Sequence, residues 1–133
     1  MELYEMLPDF RNDSLGWIRL MNDSLVHLEF MPGCRAAVDN VYCAIDRLRS
    51  SAGLFGLEHV TELSQAMENA MVRMDREPFD SASIPLLLSC CTHMQLLIEQ
   101  TDPDWASEEL FESELMERAL LLKLGEYSNA LRA

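Results

Sequence analysis

A chain of 133 residues, half of them apolar and with a net charge of −13, is long enough to bury one core without disulfides or metal and too apolar to stay disordered. Ten Lys and Arg stand against 23 acids, Lys123 is the single lysine, and no basic stripe appears. Nucleic acid and anionic membrane are therefore excluded as expected partners, because phosphate binding needs clustered cations.

Leu, Met, Ala and Glu outweigh Val, Ile and Thr, which favours helix over sheet. The opening MELYEMLPDF reads as a short helix or ordered tail whose first turn ends at Pro8. Asp13 and Ser14 offer an N-cap to a first periodic helix over about 13–31, with Ile18, Met21, Leu25 and Leu28 on one face. Met31-Pro32-Gly33 stops it. A second helix over 35–53 carries Val38, Val41, Ile45, Leu48 and Ala52 as a bundle-type seam, and Gly53 and Gly56 end it. A third helix over 57–75 follows a very short turn, which makes it an antiparallel neighbour of the second; Val60, Leu63, Met67, Ala70 and Met74 form its stripe.

The loop around Pro78 offers Asp80, Ser81 and Ser83 as caps, and Pro85 suits the first turn of a fourth helix over 83–100. Ile84, Leu87, Cys91, Met94 and Ile98 repeat the seam there. Thr101-Asp102-Pro103-Asp104-Trp105 breaks the chain before a fifth helix over 107–130, with Glu108 and Glu109 at its positive end. Leu120, Leu121, Leu122 and Leu124 are too closely spaced to face one core, so some are exposed or covered by another surface. The expected architecture is all-α: one domain over 1–133, an antiparallel up-and-down four-helix bundle over about 13–100 and an additional C-terminal helix. Ile18, Leu25, Ile45, Leu48, Leu63, Met67, Leu87 and Met94 are its expected core.

Residues 1–20 lack the apolar stretch of a secretory signal, and no apolar run is expected to approach the length of a membrane span. The expectation is a cytoplasmic chain with Cys34, Cys43, Cys90 and Cys91 reduced. Cys90, Cys91 and His93 are read as packing on a helix rather than as metal ligands, and no metal or cofactor is expected.

The stretch CAIDRLRSSAGLFGLEHVTELSQAMENAM, residues 43–71, resembles histidine phosphotransfer domains. Those domains carry His-x-Leu/Ile-Lys-Gly-x-Ala-x-x-x-Gly on one helix and a Met/Leu-Glu-Asn/Asp step on the next. The chain is most similar to the N-terminal phosphotransfer domain of CheA-type chemotaxis kinases, which share the Ala-Gly-x-Phe-Gly turn, the Met-Glu-Asn step and a fifth helix. The resemblance puts Asp46 at the phospho-acceptor position, Arg49 at the lysine, Ser50 and Ser51 where small, open residues face an incoming receiver domain, Glu68 at the glutamate that orients the histidine, and Gln65 one turn earlier. Ala52, Gly53, Phe55 and Gly56 match the turn directly.

Helical geometry agrees with that placement. Asp46 follows buried Ile45, about 100° further round the helix, and Glu68 follows Met67 in the same way on the antiparallel neighbour. A carboxylate is a weaker nucleophile than an imidazole, and receiver domains that phosphorylate one use Mg²⁺ and an acid cluster. Glu68 would repel an arriving phosphoryl group and Arg49 would only partly offset it. His27, His59 and His93 lack the motif's context.

The resemblance therefore implies a bacterial two-component or chemotaxis module that lacks the acceptor and any ATP-binding motif. Such a module is not expected to be an enzyme, and it binds a response-regulator receiver domain or a CheA-like kinase. Two alternatives stay open. One is an active phosphotransfer domain, with Asp46 engineered or an unconventional acceptor. The other is a helical adaptor or dimerisation module that pairs with itself or a partner through the fifth helix. Asp46 and Arg49 as a weak surface ion pair is the plain structural reading of the same residues.

Overall fold

The structure, a computed structural model, describes residues 6–76, 78–99 and 107–130, without the side chains of Leu7, 107–114 and 127–130. Five α-helices follow in order: α1 (Leu7–Phe30), α2 (Arg35–Leu54), α3 (Glu58–Met74), α4 (Ile84–Glu99) and α5 (Ser107–Ala130), with a 3₁₀ turn at Ser81–Ser83. No strand occurs among the described residues. α1 packs on α2 and α4, α3 packs on α2 and α4, and α5 lies against α3 and α4.

The apolar seams read from the sequence are the core. Met21, Leu25, Leu28, Val41, Ile45, Leu48, Leu63, Met67, Leu87 and Met94 are all fully buried, and Ile18 nearly so. Each large side chain of this kind contributes about 1.5–3 kcal/mol by leaving water. Phe10, Met71, Phe79, Leu120 and Leu124 join them. On α5, Leu120 and Leu124 face the core, Leu121 is partly buried, and Leu122 is exposed, as the crowding of leucines requires.

α1 begins at Leu7 rather than near residue 13. Pro8 opens it rather than ending an earlier turn, since a proline in the first turn gives up an N–H that has no helical partner. Phe10 is buried one turn on, its ring 4.6 Å from that of Phe55, and this contact anchors the added turns. Ser14 lies inside the helix and is buried, so it is not a cap. Asp80, Ser81 and Ser83 also cap no helix through their side chains; backbone bonds form the 3₁₀ turn that leads into α4.

Two connections fix the ends. At one, Met31 N–H donates to His27 O at 2.9 Å and Phe79 N–H to Pro32 O at 2.8 Å, which ties the α1–α2 turn to the loop after α3. At the other, Leu57 N–H donates to Ala52 O at 2.9 Å and Gly56 N–H to Gly53 O at 3.2 Å. This pair of bonds satisfies the last carbonyls of α2 around a left-handed residue, and Gly56 supplies it with φ of 70°. Gly53 lies within α2 rather than ending it, and the helix continues to Leu54.

The stretch Ser81–Glu99 is long and apolar enough to cross a membrane by length and composition. This corrects the expectation that no apolar run approaches that length. In the structure Ile84, Leu87, Cys90, Cys91, Met94 and Ile98 of this stretch are core residues.

Candidate functional site

α2 and α3 run antiparallel. Arg35, at the start of α2, bonds to Asp75 just past α3, whereas Arg49, near the end of α2, reaches Gln65 and Glu68 within α3. Behind the contact the apolar residues Ile45, Leu48, Leu63 and Met67 close the core. The residues one step round from that stripe meet along a polar seam.

The middle of this seam holds the residues named by the resemblance. Arg49 is its hub: Nη2 donates to Asp46 Oδ1 at 2.8 Å, Nη1 donates to Gln65 Oε1 at 3.3 Å, and Nη1 also pairs with Glu68 Oε2. Gln65 Nε2 in turn donates to Asn69 Oδ1 at 3.0 Å. The three charged side chains differ in access to water: Asp46 is 64% exposed, Glu68 34% and Arg49 26%. Asp46 therefore stands at the rim, while the guanidinium is drawn inward between the helices.

Asp46, Arg49, Gln65 and Glu68 are thus brought into one cluster. Ser50 is exposed next to it without a side-chain partner among the described residues, and Ser51 is half-buried. Gly53 and Gly56 belong to the turn at the end of α2 and form no part of the cluster. Two carboxylates share one guanidinium, so the cluster carries one net negative charge when all three are ionised.

A second polar cluster lies further along the seam, and sequence reasoning missed it. Asp75 accepts from Arg35 Nη1 at 2.7 Å, from Arg35 Nη2 at 3.1 Å and from the Tyr42 hydroxyl at 3.1 Å. Arg35 Nε also donates to Asp39 at 3.2 Å. The hydrogen-bonded Arg35 guanidinium holds the Asp75 carboxyl below its ordinary range, against an opposing push from burial. Tyr42 is pushed up to about 12, first by burial and then by its hydrogen bond to Asp75. The Arg35–Asp39 pair has the i, i+4 spacing of a helical ion pair and was legible. Asp75, forty positions from Arg35, was not.

The histidines fall elsewhere. His27 is exposed on α1. His93 is buried on α4, and burial, aided by the charge of His59, pushes its pKa down. His59, exposed at the start of α3, meets buried Glu117 of α5, with Nδ1 2.8 Å from Oε2. The four cysteines are free thiols; Cys90 and Cys91 are buried, and desolvation pushes both up to about 12. They are core packing.

No family model matches the chain, and no curated protein or solved structure matches it.

Proposed function

We propose that this chain is a phosphotransfer-like binding module: an antiparallel up-and-down four-helix bundle, α1 to α4, flanked by α5, that docks a receiver domain or a CheA-like kinase and transfers no phosphoryl group. Regulation or scaffolding of a two-component pathway in a bacterial cytoplasm is the role this implies.

One observation carries the reading: the cation at the motif position, Arg49, is already neutralised by Asp46 and Glu68. In an active site of this type a cation near the acceptor must be available to the arriving phosphate. Here a dianionic phosphoryl group would meet two carboxylates with their shared guanidinium already engaged. Among the described residues, Asp46 belongs to no metal-binding acid cluster of the kind that receiver domains use to manage that charge. What remains is an exposed polar rim on α2, formed by Asp46 and Ser50, on a firm apolar base. Such a surface suits recognition without chemistry.

Docking is tested by isothermal titration of the protein with purified receiver domains, together with the Ser50→Arg variant. Binding to at least one receiver, weakened tenfold or more by Ser50→Arg, is the expected result. Binding that Ser50→Arg leaves unchanged would move the docking face away from this seam.

A second reading, a helical adaptor that pairs through α5, is favoured by a different observation. Leu115, Met116 and Leu122 are more than half exposed on that helix. Leu115 and Leu122 are seven residues apart, two turns along one face. Light scattering over a range of concentrations separates the two: a dimer broken by Leu122→Glu supports the adaptor, and a monomer throughout removes it.

A further inference from the structure

We propose that His59, Glu62 and Glu117 form a site for a divalent transition-metal cation, Zn²⁺ or its analogue Co²⁺, that ties α5 to α3. One imidazole nitrogen and one carboxylate oxygen from each glutamate lie within 4.8 Å of one another. His59 and Glu62 are three positions apart at the start of α3, so both project from one face. Glu117 comes from α5, an element 58 positions away in sequence, and closes the group from the opposite side.

The donor set fits the chemistry. An imidazole with two carboxylates suits zinc, with the remaining coordination positions open to water. Zinc–ligand distances of about 2.0–2.2 Å place tetrahedral ligands about 3.3 Å apart. The His59–Glu117 separation of 2.8 Å and the 4.8 Å limit on the others bracket that value, so small rotamer changes suffice. His59 must ligate through Nδ1, which means that the ring proton resides on Nε2 in the bound form.

Burial supplies the second argument. Glu117 is 4% exposed, on the face of α5 that also buries Leu120 and Leu124. Burying a carboxylate is costly unless it is paired or ligates a metal, and His59 Nδ1 is one partner of Glu117 here. His59 and Glu62 are exposed, so an ion has an open path to the buried oxygen.

The signal was half legible in the sequence. His59 and Glu62 have ligand spacing on a helix, but a pair alone is common, and nothing in the sequence joins them to Glu117.

Co²⁺ titration of the full chain tests the site by its visible ligand-field bands, alongside isothermal titration with Zn²⁺. A background in which all four cysteines are serine or alanine removes thiolate binding, whose intense ultraviolet band would otherwise identify it. The expected result is one equivalent bound at micromolar concentration, retained in the cysteine-free background and weakened at least tenfold by His59→Gln and by Glu62→Gln. Both residues are exposed, so both variants should fold, and circular dichroism checks this. Zn²⁺ should also slow amide exchange across α5. No saturable binding below millimolar concentration overturns the proposal. Binding that survives both substitutions, or that disappears with the cysteines, also overturns it and leaves His59 and Glu117 as an ion pair alone.

Discussion

Replacing Arg49 with methionine keeps most of the aliphatic stem and removes the charge at the centre of the α2–α3 seam. The loss can be built from its parts. The pair with Asp46 is exposed on the Asp46 side and contributes about 0.5 kcal/mol. Glu68 is different, because its Oε2 is shielded from solvent and its cation is Arg49. A carboxylate oxygen left in that position without a charged partner costs about 1–2 kcal/mol. The expected total for Arg49→Met is about 2 kcal/mol, or roughly 6–10 °C in midpoint for a domain of this size. Urea unfolding followed by far-ultraviolet circular dichroism measures it, with the slope unchanged. The double variant Arg49→Met with Glu68→Met should recover at least half of the loss, because it leaves an apolar pair in place of a stranded charge. A loss below about 0.5 kcal/mol in the single variant, or no coupling in the cycle, would refute the picture of Arg49 as a neutralised clamp.

Other consequences are as direct. Gly56→Ala should destabilise by about 1–2 kcal/mol because φ is 70° there. Gly53→Ala, within α2 and with open space at its Cβ, should be neutral or stabilising by up to about 1 kcal/mol. Equal effects in a thermal melt would contradict the assignment of the turn to Gly56. Leu48→Ala should cost about 2–5 kcal/mol, and a loss under about half a kcal/mol would mean that it is not packed as described. Asp75 is depressed in the folded state, so its ion pair supports the fold above the ordinary carboxylate range of about 4 and is lost as pH falls through the lower folded value. The stability difference between the wild type and Asp75→Asn should thus be constant near neutrality and shrink in acid; a difference independent of pH down to acid unfolding would contradict it. A thiol reagent near neutral pH should modify exposed Cys43 quickly and leave Cys90 and Cys91 untouched until unfolding, which mass spectrometry of the labelled peptides resolves.

Periodicity made the core legible. Every residue of the four seams, from Ile18 to Ile98, is buried, because a 3, 4 spacing of apolar residues leaves a helix only one face to hide. The same rule places Asp46 and Glu68 beside their seams, and both meet Arg49 there. Misreadings came where a local signal competes with a distant contact. Pro8 reads as a stop or a start, and the contact that decides it, between Phe10 and Phe55, spans 45 positions. Gly53 and Gly56 look alike as helix terminators, and only backbone conformation separates them. Asp75 with Arg35, and Glu117 with His59, join parts of the chain that no spacing relates.

The phosphorylation of position 46 tests the central claim most directly. A CheA-type kinase, labelled ATP, the wild-type protein, Asp46→His and Asp46→His with Ser50→Gly form one experiment. In the histidine variants Glu68 can orient one ring nitrogen and leave the other toward solvent, in competition with Arg49 for the same carboxylate. The account predicts no label on the wild type, and an acid-labile, base-stable label on the single variant that rises in the double variant, where the rim is opened. Label on the wild type, whether the acid-labile, base-stable form of phosphohistidine or the base-labile form of an acyl phosphate on Asp46, would contradict a module that binds without transferring.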